Sequence, residues 1–243
     1  VQTLHGIKVS VEKVAKSLGG AISAGRVRNA KILNARLKKF KARKSQLQKL
    51  RRAVGAARSS LALRTGGTAA LIYGEANTGV SNSMLARQRQ CVSAAHSPSG
   101  DGDMELTLLL ADAGPNGKAD PAFEAHCSPI GKWAEAAWGR WLPIRALEAI
   151  YAGAIKIFCG KVSLWRVVRG PGAAFVASAT RIGWTFTGPF RAKTDVGTEV
   201  DFLADSPAFV KELVADSVRR WRARRVEDRH PHLRPGPGGH GPF

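Results

Sequence analysis

The chain has 243 residues, 44% of them hydrophobic, with a formal net charge of +20 and a sequence pI near 10.8. That length admits one large or two small domains, and the apolar fraction is ample for a core, which excludes a chain too polar to fold. A positive surplus of this size repels itself unless it meets a polyanion, so the expected partner is nucleic acid and not a membrane.

No stretch approaches the roughly 20 uninterrupted apolar residues of a membrane span; the nearest, Leu142 to Cys159, is broken by Arg145, Glu148 and Lys156. Cys91, Cys127 and Cys159 are odd in number and far apart, which argues against a disulfide framework and for a reducing, nuclear or cytoplasmic compartment. The six histidines fall at no CxxC or HxxxH spacing, so no metal site is expected. Val1 to Ser10 carry neither an initiator Met nor a signal-peptide apolar run, and the expectation is a chain that begins within a gene or has been processed.

In chain order, Val9, Val11, Val14, Leu18 and Ile22 around Gly19-Gly20 predict short strands about a turn. From Val27 the apolar residues Ile32, Leu33, Leu37, Phe40, Leu47, Leu50 and Val54 recur at helical spacing and predict one long amphipathic helix with a break near Lys44-Ser45. A second helix is expected over about Ala53 to Leu63, ended by Thr65-Gly66-Gly67, a third over Thr68 to Glu75, and a fourth opened by Ser81 and reaching about Ala95. His96 to Asp103 reads as an exposed loop. Helices follow at Met104 to Leu110, from Asp120-Pro121 to about Trp138, and from Leu142-Pro143 to about Phe158. Gly183 to Phe202 reads as a β-hairpin or meander, and a last helix runs from Ser206-Pro207 to about Val226.

The expected class is therefore mainly α (α+β), a helical bundle with a short N-terminal β element and a later β-hairpin. Its organisation reads as a β element at 1–25, a basic helical domain at 26–96, a loop or hinge at 97–103, a helical C-terminal region at 104–229 with the hairpin near 183–202, and a disordered tail at 230–243.

The charge is unevenly placed. Between Lys13 and Gly74 there are sixteen Lys or Arg residues and no Asp or Glu. A helix surface stabilised by its own ion pairs would alternate Glu with Lys at four-residue spacing, so this one is read as facing an external anion. On a helical wheel Arg28, Lys31, Lys38, Lys39, Lys41, Arg43, Lys44 and Lys49 fall mainly outside the apolar stripe, and the bland alternative is a solvated face that only keeps the protein soluble. A second cluster, Arg219, Arg220, Arg222, Arg224, Arg225 and Arg229 around Trp221, is equally well explained by the dipole of the last helix or by nucleic-acid contact, with Trp221 read first as a core anchor.

Catalytic patterns are sparse. Asp101 and Asp103 form a close pair in a Gly-rich loop, and Asp195, Glu199 and Asp201 on the expected hairpin are the seed of a nuclease-like carboxylate cluster, but surface hairpins carry acids routinely. No GxSxG elbow and no phosphate loop is present.

Several short motifs nevertheless occur in a telling order: Ala15-Lys16-Ser17-Leu18-Gly19, the basic run from Gly25-Arg26 to Arg52, Thr68 to Gly74, the Ser81 to Ala95 helix, Asp120-Pro121-Ala122-Phe123, and Trp165 to Pro171 followed by Ile182-Gly183-Trp184. Together they resemble the reverse transcriptase of a non-LTR retrotransposon of the protist, dinoflagellate-like kind, read downstream of its catalytic palm through the thumb and beyond. The resemblance implies a template-primer-binding fragment of an RNA-directed DNA polymerase, with an RNA–DNA hybrid or RNA as partner. It also implies no activity alone, since the metal-binding aspartates of the YxDD region lie upstream; the intact polymerase would use Mg, and no cofactor is expected here. Gly20 departs from the family, which usually has an apolar residue there.

Carried over, the resemblance places Lys31, Arg36, Lys38, Lys39, Arg43 and Lys44 along the duplex track, and Tyr73 and Trp184 in packing roles. With Arg26, Arg28, Lys41, Arg51 and Arg52 these cations make up the expected nucleic-acid-binding set. Three other readings stay open: a non-enzymatic basic RNA- or DNA-binding structural protein, a nuclease-like domain on the Asp195 cluster, and an untranslated or degenerate retroelement remnant.

Overall fold

The computed structural model describes residues 30–97, 102–112, 119–161 and 163–233, together with the backbone of short strands at 2–4, 7–9, 14–17 and 20–23. The N-terminal β element is two antiparallel hairpins, β1 (Gln2–Leu4) with β2 (Ile7–Val9) and β3 (Val14–Ser17) with β4 (Gly20–Ser23). Leu18-Gly19, Arg26, Arg28, Asp101, residues 98–100 of the expected loop and the tail from 234 onward lie outside the described residues.

The rest is mainly helical, as expected. The long helix divides at Arg43 into α1 (Lys31–Ala42) and α2 (Lys44–Ala62), because Arg43 leaves the helix (φ −93°, ψ −1°) while its N–H still bonds the Phe40 carbonyl at 3.0 Å. A second kink follows at Gly55, whose φ of 81° and ψ of 174° suit only glycine well. The apolar stripe does not survive these breaks: Leu33, Leu37 and Phe40 are buried, whereas Leu50 and Val54 are exposed.

Nor does Gly66-Gly67 stop the helix. The chain winds through a wide π-type turn, Leu63–Thr68, straight into α3 (Ala69–Ile72), with Gly67 lying against the Leu63 and Phe40 side chains. The actual stop is Tyr73-Gly74, where Gly74 is left-handed (φ 78°) and splits the expected third helix into α3 and α4 (Glu75–Thr78).

The following helices begin where local chemistry places them. Ser81 caps α5 (Asn82–His96) by accepting the Met84 N–H at 3.3 Å, and Asp103 caps α6 (Met104–Ala111) through the Leu106 N–H at 3.0 Å. Asp120 caps α7 (Pro121–Trp138) through the Ala122 N–H at 2.8 Å, with Pro121 in the first turn. Then come α8 (Ile144–Phe158), α9 (Leu164–Val167), α10 (Gly170–Arg181) and α11 (Pro207–Arg229), which starts at the Ser206 cap.

Helix α7 is the centre, packed by α4, α5, α10 and α11. Trp133 of α7 stacks on Phe175 of α10 at 4.8 Å, and Phe175 meets Phe186 and Phe202 edge-on. Those two rings belong to the meander β5 (Thr185–Phe186), β6 (Arg191–Lys193) and β7 (Glu199–Asp201), which pairs antiparallel in that order. Trp184 is buried and gives its indole N–H to Ser217 of α11 at 2.8 Å, a packing role as expected. One apolar cluster runs from Leu33 to Val218.

The first residues of the expected exposed loop are not exposed. His96 and Ser97 are buried, and His96 Nδ1 meets the Ser60 hydroxyl of α2 at 3.3 Å. Burial, with Arg51 nearby, pushes the imidazole pKa down to about 4. A histidine depressed in the folded state is neutral there and protonates on unfolding, so its stability contribution is complete above about pH 6.5 and is lost as pH falls toward 4. Urea unfolding midpoints are expected to drop across that window, and His96→Gln to remove a share of up to about 3 kcal/mol of the pH dependence. An unchanged profile in the variant would refute the assignment.

Candidate nucleic-acid interface

Helices α1 and α2 present the basic run to solvent because Leu33, Leu37 and Phe40 turn the opposite face into the core. Lys31, Lys38, Lys39, Lys41, Arg43, Lys49 and Arg52 are exposed, and Arg36, Lys44 and Arg51 are partly covered. Glu75, the acid that ends the acid-free run, does not offset this charge at the surface: it is buried and accepts a hydrogen bond from Gln88 Nε2 at 2.5 Å. The field of these cations reaches α5, where burial pushes the Cys91 thiol up while Lys41, Arg87 and Lys44 pull it down.

Arg36 of the expected set is tied to the turn that follows α3. Arg36 donates to the Tyr73 carbonyl and lies over the Tyr73 ring at 5.5 Å from its centroid. Tyr73 is 55% exposed, which corrects its expected packing role: the break at Gly74 leaves the ring on the surface beside α1, held under a guanidinium. The ring is thereby an exposed aromatic face beside a cation. Sequence alone did not find it, although Tyr-Gly after a short helix is a signal for a chain reversal that exposes the preceding side chain.

The C-terminal arginine cluster has the opposite fate. Arg219 pairs with Asp216, Arg220 and Arg224 with Asp195, Arg222 with Asp112 and Asp120, Arg225 with Glu105, and Arg229 with Asp103. All six are matched by carboxylates, five of which lie outside α11, and Trp221 packs against the core as an anchor. The inner part is a buried network. Arg89 of α5, 1% exposed, holds Asp120 through Nε at 3.0 Å and Glu105 through Nη1 and Nη2 at 2.9 and 2.6 Å. Burial works against the Arg89 charge, yet Asp120 and Glu105 outweigh it and keep its pKa above the usual arginine value. The network therefore ties α5, α6, the start of α7 and α11 together.

Of the carboxylates weighed for catalysis, the four among the described residues are each engaged. Asp195 accepts from Arg220, Ser217 and Arg224, and the Arg220 bond above all holds its pKa down to about 2. Glu199 pairs with Lys193 and Asp201 with Arg191, cross-strand partners in the meander register. Asp103 caps α6 and meets Arg229 and His230. Among the described residues no group of three or more His, Cys, Asp or Glu is placed to hold a metal ion, and no helix is long and apolar enough to cross a membrane.

Compared with known proteins, the chain matches no family model and shows no significant similarity to a curated protein or a solved structure.

Proposed function

We propose that this chain binds nucleic-acid backbone through the α1–α2 face, as the thumb and downstream part of a retroelement reverse transcriptase that grips template and primer. The observation that carries the reading is the contrast in composition: the C-terminal arginines are matched by carboxylates, whereas the segment from Lys13 to Gly74 that builds α1 and α2 holds sixteen Lys or Arg residues and no Asp or Glu. A face of this kind recognises phosphates, with little base readout. Tyr73 adds a ring for stacking at its edge. The polymerase part of the proposal rests on the ordered motifs. In the polymerases these motifs resemble, the catalytic aspartates and their Mg belong to the palm, so the role proposed for these residues is binding.

The test is the affinity of the purified chain for an RNA–DNA hybrid, single-stranded RNA and duplex DNA, each titrated across salt. A face that meets about six phosphates loses affinity on the order of 1,000-fold between 50 and 200 mM salt, and the hybrid is expected to bind tightest. Weak, salt-insensitive binding would remove the nucleic-acid reading. Tight, salt-steep binding with no preference for the hybrid would keep backbone binding and favour the non-enzymatic structural protein over the polymerase thumb.

A further inference from the structure

Leaving an indole in water forgoes a large hydrophobic gain, and four of the six tryptophans of this chain, Trp133, Trp165, Trp184 and Trp221, lie in the core or against it. The other two stand close together where α7 gives way to α8: Trp138 is 47% and Trp141 60% exposed. Two exposed indoles in one turn form an aromatic patch of the kind that marks an interaction surface.

Helix α7 ends in two backbone bonds, Arg140 N–H to the Ala137 carbonyl at 3.3 Å and Trp141 N–H to the Ala136 carbonyl at 3.1 Å. This helix stop puts one residue in the left-handed region, where glycine is favoured. Here that residue is arginine: Arg140 has φ 49°, and among the described residues every other positive φ belongs to glycine. The glycine stands one place earlier, at Gly139, where a Cβ would come 2.7 Å from the Trp141 indole nitrogen. The Trp141 ring is thus seated against the end of α7, with the Lys132 ammonium 5.6 Å from its centroid. An exposed arginine therefore stands between two exposed rings. Glu135 is taken up by Lys132 and Lys211 at 2.6 and 2.5 Å, and Glu148 is exposed further along α8. Among the described residues no carboxylate pairs with Arg140 or with the exposed Arg145 of α8.

We propose that this turn binds single-stranded nucleic acid, with Trp138 and Trp141 stacking on bases and Arg140 and Arg145 meeting phosphates. An apolar protein surface would bury Arg140 without a partner. A single strand alternates flat rings with anions, as this turn alternates indoles with guanidinium groups, whereas a duplex keeps its bases stacked internally and offers the indoles no free face. The site uses no residue of α1 or α2, so it is separate from the backbone-binding surface.

The experiment is fluorescence anisotropy of the full chain with an oligothymidylate of about ten nucleotides, within the site size of a small binding domain, and with an abasic strand of equal length, which keeps the phosphates and lacks the bases. The oligothymidylate is expected to bind about 10-fold tighter or more. Trp138→Ala and Trp141→Ala should each reduce that preference about 5-fold or more, with Trp141→Phe retaining most of it because a ring remains. Arg140→Gly should weaken both strands alike without lowering the thermal midpoint, since glycine suits the left-handed turn; a merely structural role would not lose binding while stability holds. Glu at Lys38, Lys39, Arg43 and Lys44 should lower affinity for both strands and leave the preference in place, which separates failure of this site from failure of the α1–α2 face. Equal affinity for the two strands, or a preference unchanged when both tryptophans are replaced by Ala, overturns the proposal. So does a shift of tryptophan emission on phosphatidylserine vesicles without a preference for bases, which would assign the turn to a lipid surface.

Discussion

Exchanging Lys38, Lys39, Arg43 and Lys44 together for Glu is expected to weaken binding to an RNA–DNA hybrid by roughly 100-fold or more at physiological salt. Each Lys or Arg seated on a phosphate releases a counterion, so removing four such contacts takes roughly four from the slope of log affinity against log salt. Reversing the charges adds repulsion to that loss. The fold should be untouched: Lys38, Lys39 and Arg43 are exposed and Lys44 only partly covered, and α1 is held by Leu33, Leu37 and Phe40. Fluorescence anisotropy at several salt concentrations measures both quantities, with circular dichroism confirming helix content. An affinity and slope equal to those of the unmodified chain would place the binding surface elsewhere. Arg219→Ala is the matched control, because Arg219 is already paired with Asp216, and its effect on binding should be small.

The second large effect is on stability. Arg89→Met is expected to cost about 3–5 kcal/mol, the scale observed when one partner of a buried ion pair is removed and its opposite is left charged in a low dielectric. Asp120 is 1% and Glu105 2% exposed, so neither regains water when the guanidinium goes. A loss of that size approaches the whole stability of many domains, and the variant is expected to be largely unfolded at 37 °C. Urea unfolding followed by circular dichroism reads the loss. Adding Asp120→Asn should restore part of it, since the one carboxylate in excess of Arg222 and Arg225 is then neutral. A loss below about 1 kcal/mol for Arg89→Met would mean that Arg222 and Arg225 suffice to neutralise the two carboxylates.

Much of the helical scaffold was legible because helix starts are local events. Ser81, Asp120-Pro121 and Ser206-Pro207 each supply a side-chain acceptor for N–H groups within three residues, and the sequence carries that chemistry without reference to the rest of the fold. Helix ends were harder. Gly66-Gly67 has the composition of a stop, yet Gly67 fits against Leu63 and Phe40, and this tertiary contact carries the chain through a π-type turn. The apolar period shows the same limit: it runs at helical spacing through Leu50 and Val54, yet both are exposed in a helix that is kinked at Gly55.

The candidate site shows the division most clearly. The acid-free basic run is a property of composition along one segment, so its exposure on α1 and α2 could be read from helical spacing alone. The C-terminal arginines have the same composition signature, and nothing local distinguishes them. Their partners Glu105, Asp112, Asp120 and Asp195 lie from 25 to more than 100 residues away in the chain, and only folding brings them together. Tyr73 was likewise placed at the surface by the left-handed turn at Gly74 and by Arg36, a residue of another helix. The sequence by itself determined where several helices start and where an acid-free run of positive charge lies, because caps, periodicity and charge spacing act over a few residues. The tertiary structure decided which charges remain at the surface and which are neutralised in the core, because Coulomb attraction and burial depend on distance in space.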